Sequence, residues 1–290
     1  MAFDDEVHLP MSPEELRLLS ELVYQYCGIL FREEMRYLLE RRLSPRLRAV
    51  GAADFAAYYR FLRYDPKGRT ELESAVEALA TSETYFFREP HQLRAFSEEL
   101  LPLLARQLDS QRRLRIWSAG CSTGEEAYTL AMLVLDSGLF HGWHVEVFGS
   151  DISRRVVALA RRGAYSRSAL RQAPPEMVQR YLDHEGGHWT VKPEVRSLVS
   201  FGHLNLVDEH MLALVGHVEV VFCRNVMIYF DLPARRRVLR SFHAKLVDGG
   251  YLLLGHSESL INVTADFELV HLKNDLVYRK PTSAVLGSLA

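Results

Sequence analysis

Cysteine is scarce. The 290 residues hold three, Cys27, Cys121 and Cys223, far apart and without a CxxC pair or a Cys/His ligand spacing. A disulfide scaffold and a structural zinc site therefore gain no support. No apolar run approaches the roughly 18 residues that a membrane span needs. Neither sign of charge dominates, with 35 Lys and Arg against 37 Asp and Glu and a net charge of −2. That balance gives no global attraction to nucleic acid or to an anionic membrane. The opening MAFDDEVHLP has neither a basic stretch nor an apolar core, so no secretory leader is expected. What is present is ordinary: 48% hydrophobic and 25% charged residues, enough apolar surface to build a core and exclude general disorder. At about 150 residues per domain the length suggests two domains. The expectation is a cytoplasmic, reduced protein with no metal, no nucleic acid partner and no membrane insertion.

The chain changes grammar near its middle. After a loose start over 1–11, Ser12-Pro13-Glu14-Glu15 carries helix-start chemistry, and Leu16, Leu19, Leu22, Val23 and Tyr26 follow at helical spacing before Gly28. Further helices read over 32–50, 54–62 and 70–80. The first 90 residues form an all-helical domain in this reading, and a linking helix occupies 91–110. From Leu114 strands alternate with helices: strands over 114–117, 145–151, 218–223 and 251–255, helices over 125–136, 154–162 and 233–246. This alternation predicts a parallel, doubly wound sheet over 111–280. Two short runs, 267–272 and 276–280, read as a terminal pair of strands. Between the second and third clear strands, 163–217 holds a helix over 174–182. Gly186-Gly187 follows, flanked by HWTVK and VRSLVSF, and Gly-Gly among these strand-like runs reads as a hairpin inserted over about 183–203. The tail 281–290 is expected to be flexible.

Chemistry concentrates at the strand ends. The first strand runs into SAGCSTGEE, a glycine-bearing turn that lets a ligand approach the backbone. The second ends in Asp151, an acid placed to accept both hydroxyls of a ribose. Only Gly120 and Gly124 remain of a GxGxxG pattern, and Glu125 and Glu126 open the next helix. Two acids at that helix start disfavour a diphosphate, and Glu125 stands where a P-loop needs lysine. A nucleoside with a cationic end and no phosphate suits the turn better, and S-adenosylmethionine is such a ligand. The same turn spells GCSTG, the GxSxG nucleophile pattern around Ser122, with Asp231 and His256 in triad order downstream, so a hydrolase stays open at this point. The third clear strand ends in CRNVMIYFD, where Asn225 and Tyr229 sit as in the Asn-Pro-Pro-Tyr-like signature of amino-directed methyltransferases, without its prolines. His256, in GHSES, stands out among scattered histidines.

Taken in order, TSETYFFREP, WSAGCSTGEEAY, FGSDIS, HLNL, FCRNVMIYFD and GGYLLLGHSES resemble the motifs of the chemotaxis receptor glutamate methyltransferases of the CheR type, over roughly residues 12–280. The resemblance implies an all-helical N-terminal domain followed by a Rossmann-like class I methyltransferase α/β sheet domain carrying a small antiparallel β insertion. It implies S-adenosylmethionine as cofactor, with Ser82, Thr84, Arg88, Glu125, Asp151, Asn205, Leu206, Arg224 and Asn225 at binding positions. Ser82 stands where the family commonly has Asn, and Cys121 where it has Ala. Arg88 and Tyr229 match positions at the reacting groups. The implied reaction is methylation of glutamate side chains on chemoreceptor helices, giving methyl esters and S-adenosylhomocysteine. A methyltransferase fold kept as a scaffold without turnover is the other reading of the same motifs. The helix over 32–50 carries Arg36, Arg41, Arg42, Arg46 and Arg48 within a stretch with one acid, Glu40, and is expected to dock on a glutamate-rich receptor bundle. In the family the hairpin region can bind a receptor C-terminal peptide by strand addition.

Overall fold

A computed structural model describes residues 9–282. The loose start and the flexible tail expected from sequence fall largely outside them, at 1–8 and 283–290. The chain divides into two compact units. One comprises the residues up to Thr81 together with Tyr229–Ala234; the other comprises Ser82–Ile228 and the residues from Arg235 onward.

The helical unit starts where its capping chemistry dictates. Ser12 and Glu15 form a capping box: the Glu15 amide donates to Ser12 Oγ at 3.3 Å, and the Ser12 amide donates to Glu15 Oε2 at 2.7 Å. The helix α1 (Pro13–Cys27) then buries Leu16, Leu19, Leu22 and Val23 and stops at Gly28, whose φ of +75° caps it. A 3₁₀ turn, Glu33–Met35, precedes α2 (Arg36–Ala49), so the regular helix begins four residues later than the sequence suggests. Next come α3 (Phe55–Tyr64), capped by Asp54, and α4 (Gly68–Leu79). A buried polar cluster ties three helices together. Glu71 Oε1 accepts from the Tyr58 hydroxyl at 2.8 Å and from Arg46 Nε at 2.9 Å, and Oε2 accepts from Arg46 Nη2 at 2.5 Å. Burial pushes the Tyr58 hydroxyl above its ordinary value, and the neighbouring Glu71 adds to the rise. The segment Tyr229–Ala234 packs into this unit. Phe230 bridges to Ile29, and the Tyr24 hydroxyl donates to Asp231 Oδ2 at 3.0 Å.

The sheet unit opens with α5 (Pro90–Arg94), a π-helical stretch Ala95–Leu100 and α6 (Leu101–Gln107), in place of one regular helix over 91–110. Its elements then follow as β1 (Arg113–Ala119), α7 (Glu125–Ser137), β2 (His144–Asp151), α8 (Arg154–Arg162), β3 (Ala164–Tyr165), α9 (Pro175–Tyr181), β4 (Leu182–Glu185) and β5 (His188–Val191). After these come α10 (Pro193–Arg196), β6 (Val199–His203), α11 (Glu209–Ala213), β7 (Val218–Cys223), α12 (Leu232–Lys245), β8 (Leu246–Leu254), β9 (Glu268–His271) and β10 (Leu276–Arg279). The main sheet has seven strands in the order β6-β2-β1-β7-β8-β10-β9. The first five are parallel, and β10 pairs antiparallel with both β8 and β9. This is the Rossmann-like α/β sheet expected from the alternating pattern. The chain reverses its direction of winding between β1 and β7, and ligands of open α/β sheets bind outside the strand ends at such a point.

Gly186-Gly187 does turn a hairpin, but its arms are β4 and β5, and β3 completes a three-stranded antiparallel sheet in the order β3-β5-β4. The run VRSLVSF is not a hairpin arm. Its second half is β6, the edge strand of the main sheet, paired in parallel with β2. The physical reason is Phe201. Its ring lies where a side chain on Gly149 would be, 2.6 Å from an added Cβ, so a glycine in β2 makes room for the ring.

Candidate active site at the strand ends

The turn after β1 is held by backbone. The amides of Gly120 and Cys121 both donate to the Ser150 carbonyl, at 2.8 and 2.9 Å. Gly120 has φ +81°, and an added Cβ would meet Val226 Cγ2 at 2.4 Å, so only glycine fits between this turn and the loop after β7. Ser122 also takes a left-handed conformation, with φ +50°. Its amide donates to Asp151 Oδ2 at 2.9 Å, and its hydroxyl donates to the Ser82 carbonyl at 3.0 Å. The Ser153 amide donates to Asp151 Oδ1 at 2.9 Å. Burial pushes the Asp151 carboxyl up, and the amides of Ser153, Ser122 and Ile152 pull it back. Each oxygen keeps acceptor capacity for a hydroxyl.

Ser122 is not a triad nucleophile. Its hydroxyl faces a carbonyl, Asp231 accepts from Tyr24 and the Ala234 amide, and His256 Nδ1 lies 3.7 Å from Glu89.

Two acids at the start of α7 have different partners. Glu125 is buried and accepts from Thr123 Oγ1 at 2.7 Å; burial raises its carboxyl. Glu126 accepts from Ser118 Oγ at 2.7 Å and lies 3.6 Å from Arg224 Nη1; burial raises it too, with Arg224 opposing. Arg224 is a buried bracket. Its Nη2 donates to the Arg88 carbonyl at 2.6 Å, and its Nε lies 3.5 Å from Glu89 Oε2. The segment carrying Arg88 is strained on both sides, with Phe87 and Glu89 each at φ +58°. It is anchored by the Phe86 amide on the Ala169 carbonyl at 2.9 Å and the Phe87 amide on Thr129 Oγ1 at 3.2 Å. Arg88 Nη1 donates to the Glu83 carbonyl at 3.1 Å. Thr84 is half-buried in the same segment.

Asn225, also left-handed at φ +58°, is fixed by Glu258. The Glu258 carboxylate accepts from the amides of Gly255 at 2.8 Å, Asn225 at 2.9 Å and Ile228 at 3.2 Å. In GHSES the organising residue is thus Glu258 and not His256. Asn225 Oδ1 is buried without a hydrogen-bond donor. Asn205 and Leu206 are buried directly after β6. Tyr229 ends the 3₁₀ turn Met227–Tyr229 and groups with the helical unit. The sheet unit therefore holds Ser82, Thr84, Arg88, Glu125, Asp151, Asn205, Leu206, Arg224 and Asn225.

The basic helix is less free than its composition suggests. Arg36 pairs with Glu33, Arg46 with Glu71, and Arg42 Nη1 donates to the Leu79 and Ala80 carbonyls at 2.6 and 3.1 Å, capping α4. Arg41 is exposed.

These residues fit a nucleoside ligand with a cationic end: an acid at the β2 tip, a buried carboxylate at Glu125 with no ion pair among the described residues, and Asn225 Oδ1 with no hydrogen-bond donor among them. Among the described residues no group of three or more His, Cys, Asp and Glu side chains is placed to hold a metal, and no helix is long and apolar enough to cross a membrane.

Comparison with known proteins gives two family matches: the CheR methyltransferase all-alpha domain over residues 14–80, and the CheR methyltransferase SAM binding domain over residues 82–276. The chain is 37% identical over 275 residues to a chemotaxis protein methyltransferase of Klebsiella aerogenes, covering 93% of this chain and 90% of the other. It is 34% identical over 277 residues to chemotaxis protein methyltransferase 1 of Pseudomonas aeruginosa, covering 91% and 97%. Chemotaxis protein methyltransferase 2 of Vibrio cholerae is 33% identical over 260 residues, covering 89% and 90%.

Proposed function

This chain belongs to the CheR methyltransferase family and is an S-adenosylmethionine-dependent methyltransferase, and we propose that it esterifies glutamate side chains of chemoreceptors through the residues gathered at its strand ends. The observation that carries the site assignment is Asp151, held by the amides of Ser122 and Ser153 at the tip of β2, beside a turn that admits no side chain at Gly120. Asp151 takes the ribose hydroxyls, Glu125 the amino group, Asn205 and Leu206 the adenine edge, and Asn225 a polar atom through Oδ1. Ser82 and Thr84 line the same end. Arg224 acts indirectly: its contacts hold the Arg88 backbone in place.

When bound, S-adenosylmethionine supplies an electrophilic methyl group on a sulfonium. A glutamate side chain, with pKa about 4.3, is already ionised at neutral pH, so the chain needs no general base. The protein's task is positioning. Arg88 attracts the acceptor carboxylate, and Tyr229 is the residue that the family resemblance offers for orienting it. Opposite charges cancel along this path, so a dry site favours it.

The acceptor glutamates lie on helices of cytoplasmic receptor regions, and the enzyme works in that compartment. Arg41, with Arg36, Arg42, Arg46 and Arg48 on the same helix, gives α2 a positive charge for a Glu-rich bundle. The β4–β5 hairpin offers a strand edge to a receptor C-terminal peptide.

The test of the site is Arg88→Ala, assayed with tritiated cofactor and a receptor cytoplasmic fragment. The reading expects kcat/KM for receptor to fall by about 100-fold, in keeping with a lost positioning contact. Full activity in this variant overturns the Arg88 assignment.

A further inference from the structure

The corner between α3 and α4 carries free positive charge. Residues 60–70 hold Arg60, Arg63, Lys67 and Arg69 against one acid, Asp65, in a chain of net charge −2. All four cations are exposed, and none has a side-chain hydrogen bond or ion pair with another described residue. The arginines of α2 differ: Arg36, Arg42 and Arg46 are each engaged within the helical unit.

The charges stand on a fixed frame. Arg60, Arg63 and Tyr64 are three and four residues apart and share the face of α3 away from buried Phe55, Tyr58 and Leu62. The turn that follows is tight. The Gly68 amide donates to the Asp65 carbonyl at 2.8 Å and the Lys67 amide to Asp65 Oδ1 at 2.8 Å, and a Cβ on Gly68 would meet the Leu62 carbonyl oxygen at 2.5 Å. Helix stability does not account for the placement. Lys67 occupies the N-cap position of α4 without capping it, and Arg69 lies in the first turn, where the helix end is itself positive. In their midst Tyr64 is 75% exposed. Arginine and tyrosine are both enriched where proteins meet.

We propose that the α3–α4 corner docks an acidic protein surface, that of the receptor segment carrying the acceptor glutamates, and holds it less tightly as methylation proceeds. The inference rests on the receptor reading above. Each transfer breaks the bond between sulfur and methyl carbon and joins the methyl to a carboxylate oxygen. The acceptor surface therefore loses one negative charge per ester formed. A positive patch steers and holds an acidic partner by charge, so it senses that loss. Nucleic acid or an anionic membrane fits less well, because a chain of net charge −2 adds no attraction beyond this one patch.

The test is the full chain carrying Arg60→Gln, Arg63→Gln and Lys67→Gln together, assayed on two receptor cytoplasmic fragments. One has glutamate at every methylation site; the other has glutamine, neutral as the ester is, at all sites but one. With KM expressed per acceptor glutamate, the unaltered protein should show a KM about fivefold higher on the glutamine-rich fragment. In the variant, KM on the glutamate-rich fragment should rise by a similar factor and the gap between fragments should close. Its kcat, melting temperature and S-adenosylhomocysteine affinity should not change. High salt should bring the unaltered protein to the variant's KM. An unchanged KM in the variant overturns the proposal, and an equal rise on both fragments overturns the sensing of charge. Anionic vesicles that bind the unaltered protein and not the variant, with receptor KM unchanged, overturn it in favour of a lipid surface. Methylation of neither fragment by the unaltered protein overturns the receptor reading itself.

Discussion

The Ser122 amide donates to Asp151 Oδ2 at 2.9 Å, so one hydrogen bond joins the turn after β1 to the tip of β2. Ser122 adopts a left-handed backbone to make it. The carboxylate proposed to take the ribose hydroxyls is therefore also the group that shapes the turn after β1. Asp151→Ala should abolish measurable S-adenosylhomocysteine binding. It should also destabilise the fold, by about 1–3 kcal/mol for each amide left without its acceptor. Denaturant unfolding alongside calorimetry separates the two effects. Intact binding in this variant contradicts the assignment.

Burial raises both Asp151 and Glu125 above the ordinary carboxylate range, opposed by backbone amides and His203 at Asp151 and by Thr123 and Arg171 at Glu125. Cofactor binding by ionised acids should then weaken as pH falls through those raised values. Fold stability has the opposite sign. The folded state holds these protons more tightly than the unfolded chain, so the two groups' contribution is present at low pH. It is lost as pH rises from the unfolded value through the folded one. Titrating S-adenosylhomocysteine across acidic pH should show the affinity loss, and Glu125→Gln should flatten it.

How much of this was legible beforehand differs by element. The capping box at Ser12 and Glu15, the β1 and β7 runs and the acid at Asp151 were readable because each is a local pattern with a local cause. The run holding β6 reads as strand-like, but its place in the main sheet does not, because that place depends on Phe201 filling the space above Gly149, a contact between distant residues. Glu258 was missed for a related reason: its three amide donors come from two separate loops. Arg42 and Arg46 looked like free charge in a basic helix and prove to be committed to a helix end and to Glu71.

Arg224 brackets Glu126, Glu89 and the Arg88 carbonyl from a buried position. Arg224→Met keeps most of the volume and removes the charge, leaving two acids without their cation. Unfolding free energy should fall by about 3 kcal/mol, as for a broken buried pair. Arg224→Lys should recover little, because a point charge cannot span the three partners. Urea unfolding curves decide the matter.

The two neighbouring arginines of α2 should behave differently. Arg41→Glu should raise the apparent KM for receptor severalfold and leave S-adenosylhomocysteine affinity and thermal stability unchanged. Arg42→Glu should lower the melting temperature, because it strips the cap from α4 and places an anion against helix-end carbonyls. Steady-state kinetics in low and high salt, with melting curves, reads both. An unchanged receptor KM in Arg41→Glu removes α2 as the docking face.

The central claim is transfer of a methyl group to a glutamate carboxylate. It is tested most directly by incubating the protein with methyl-labelled S-adenosylmethionine and a chemoreceptor cytoplasmic fragment, then mapping the label by mass spectrometry. The account predicts label on glutamate side chains, released as methanol by mild base, and none when Asp151→Ala replaces the protein. Label that resists base, or no label on the receptor while S-adenosylhomocysteine still binds, contradicts it.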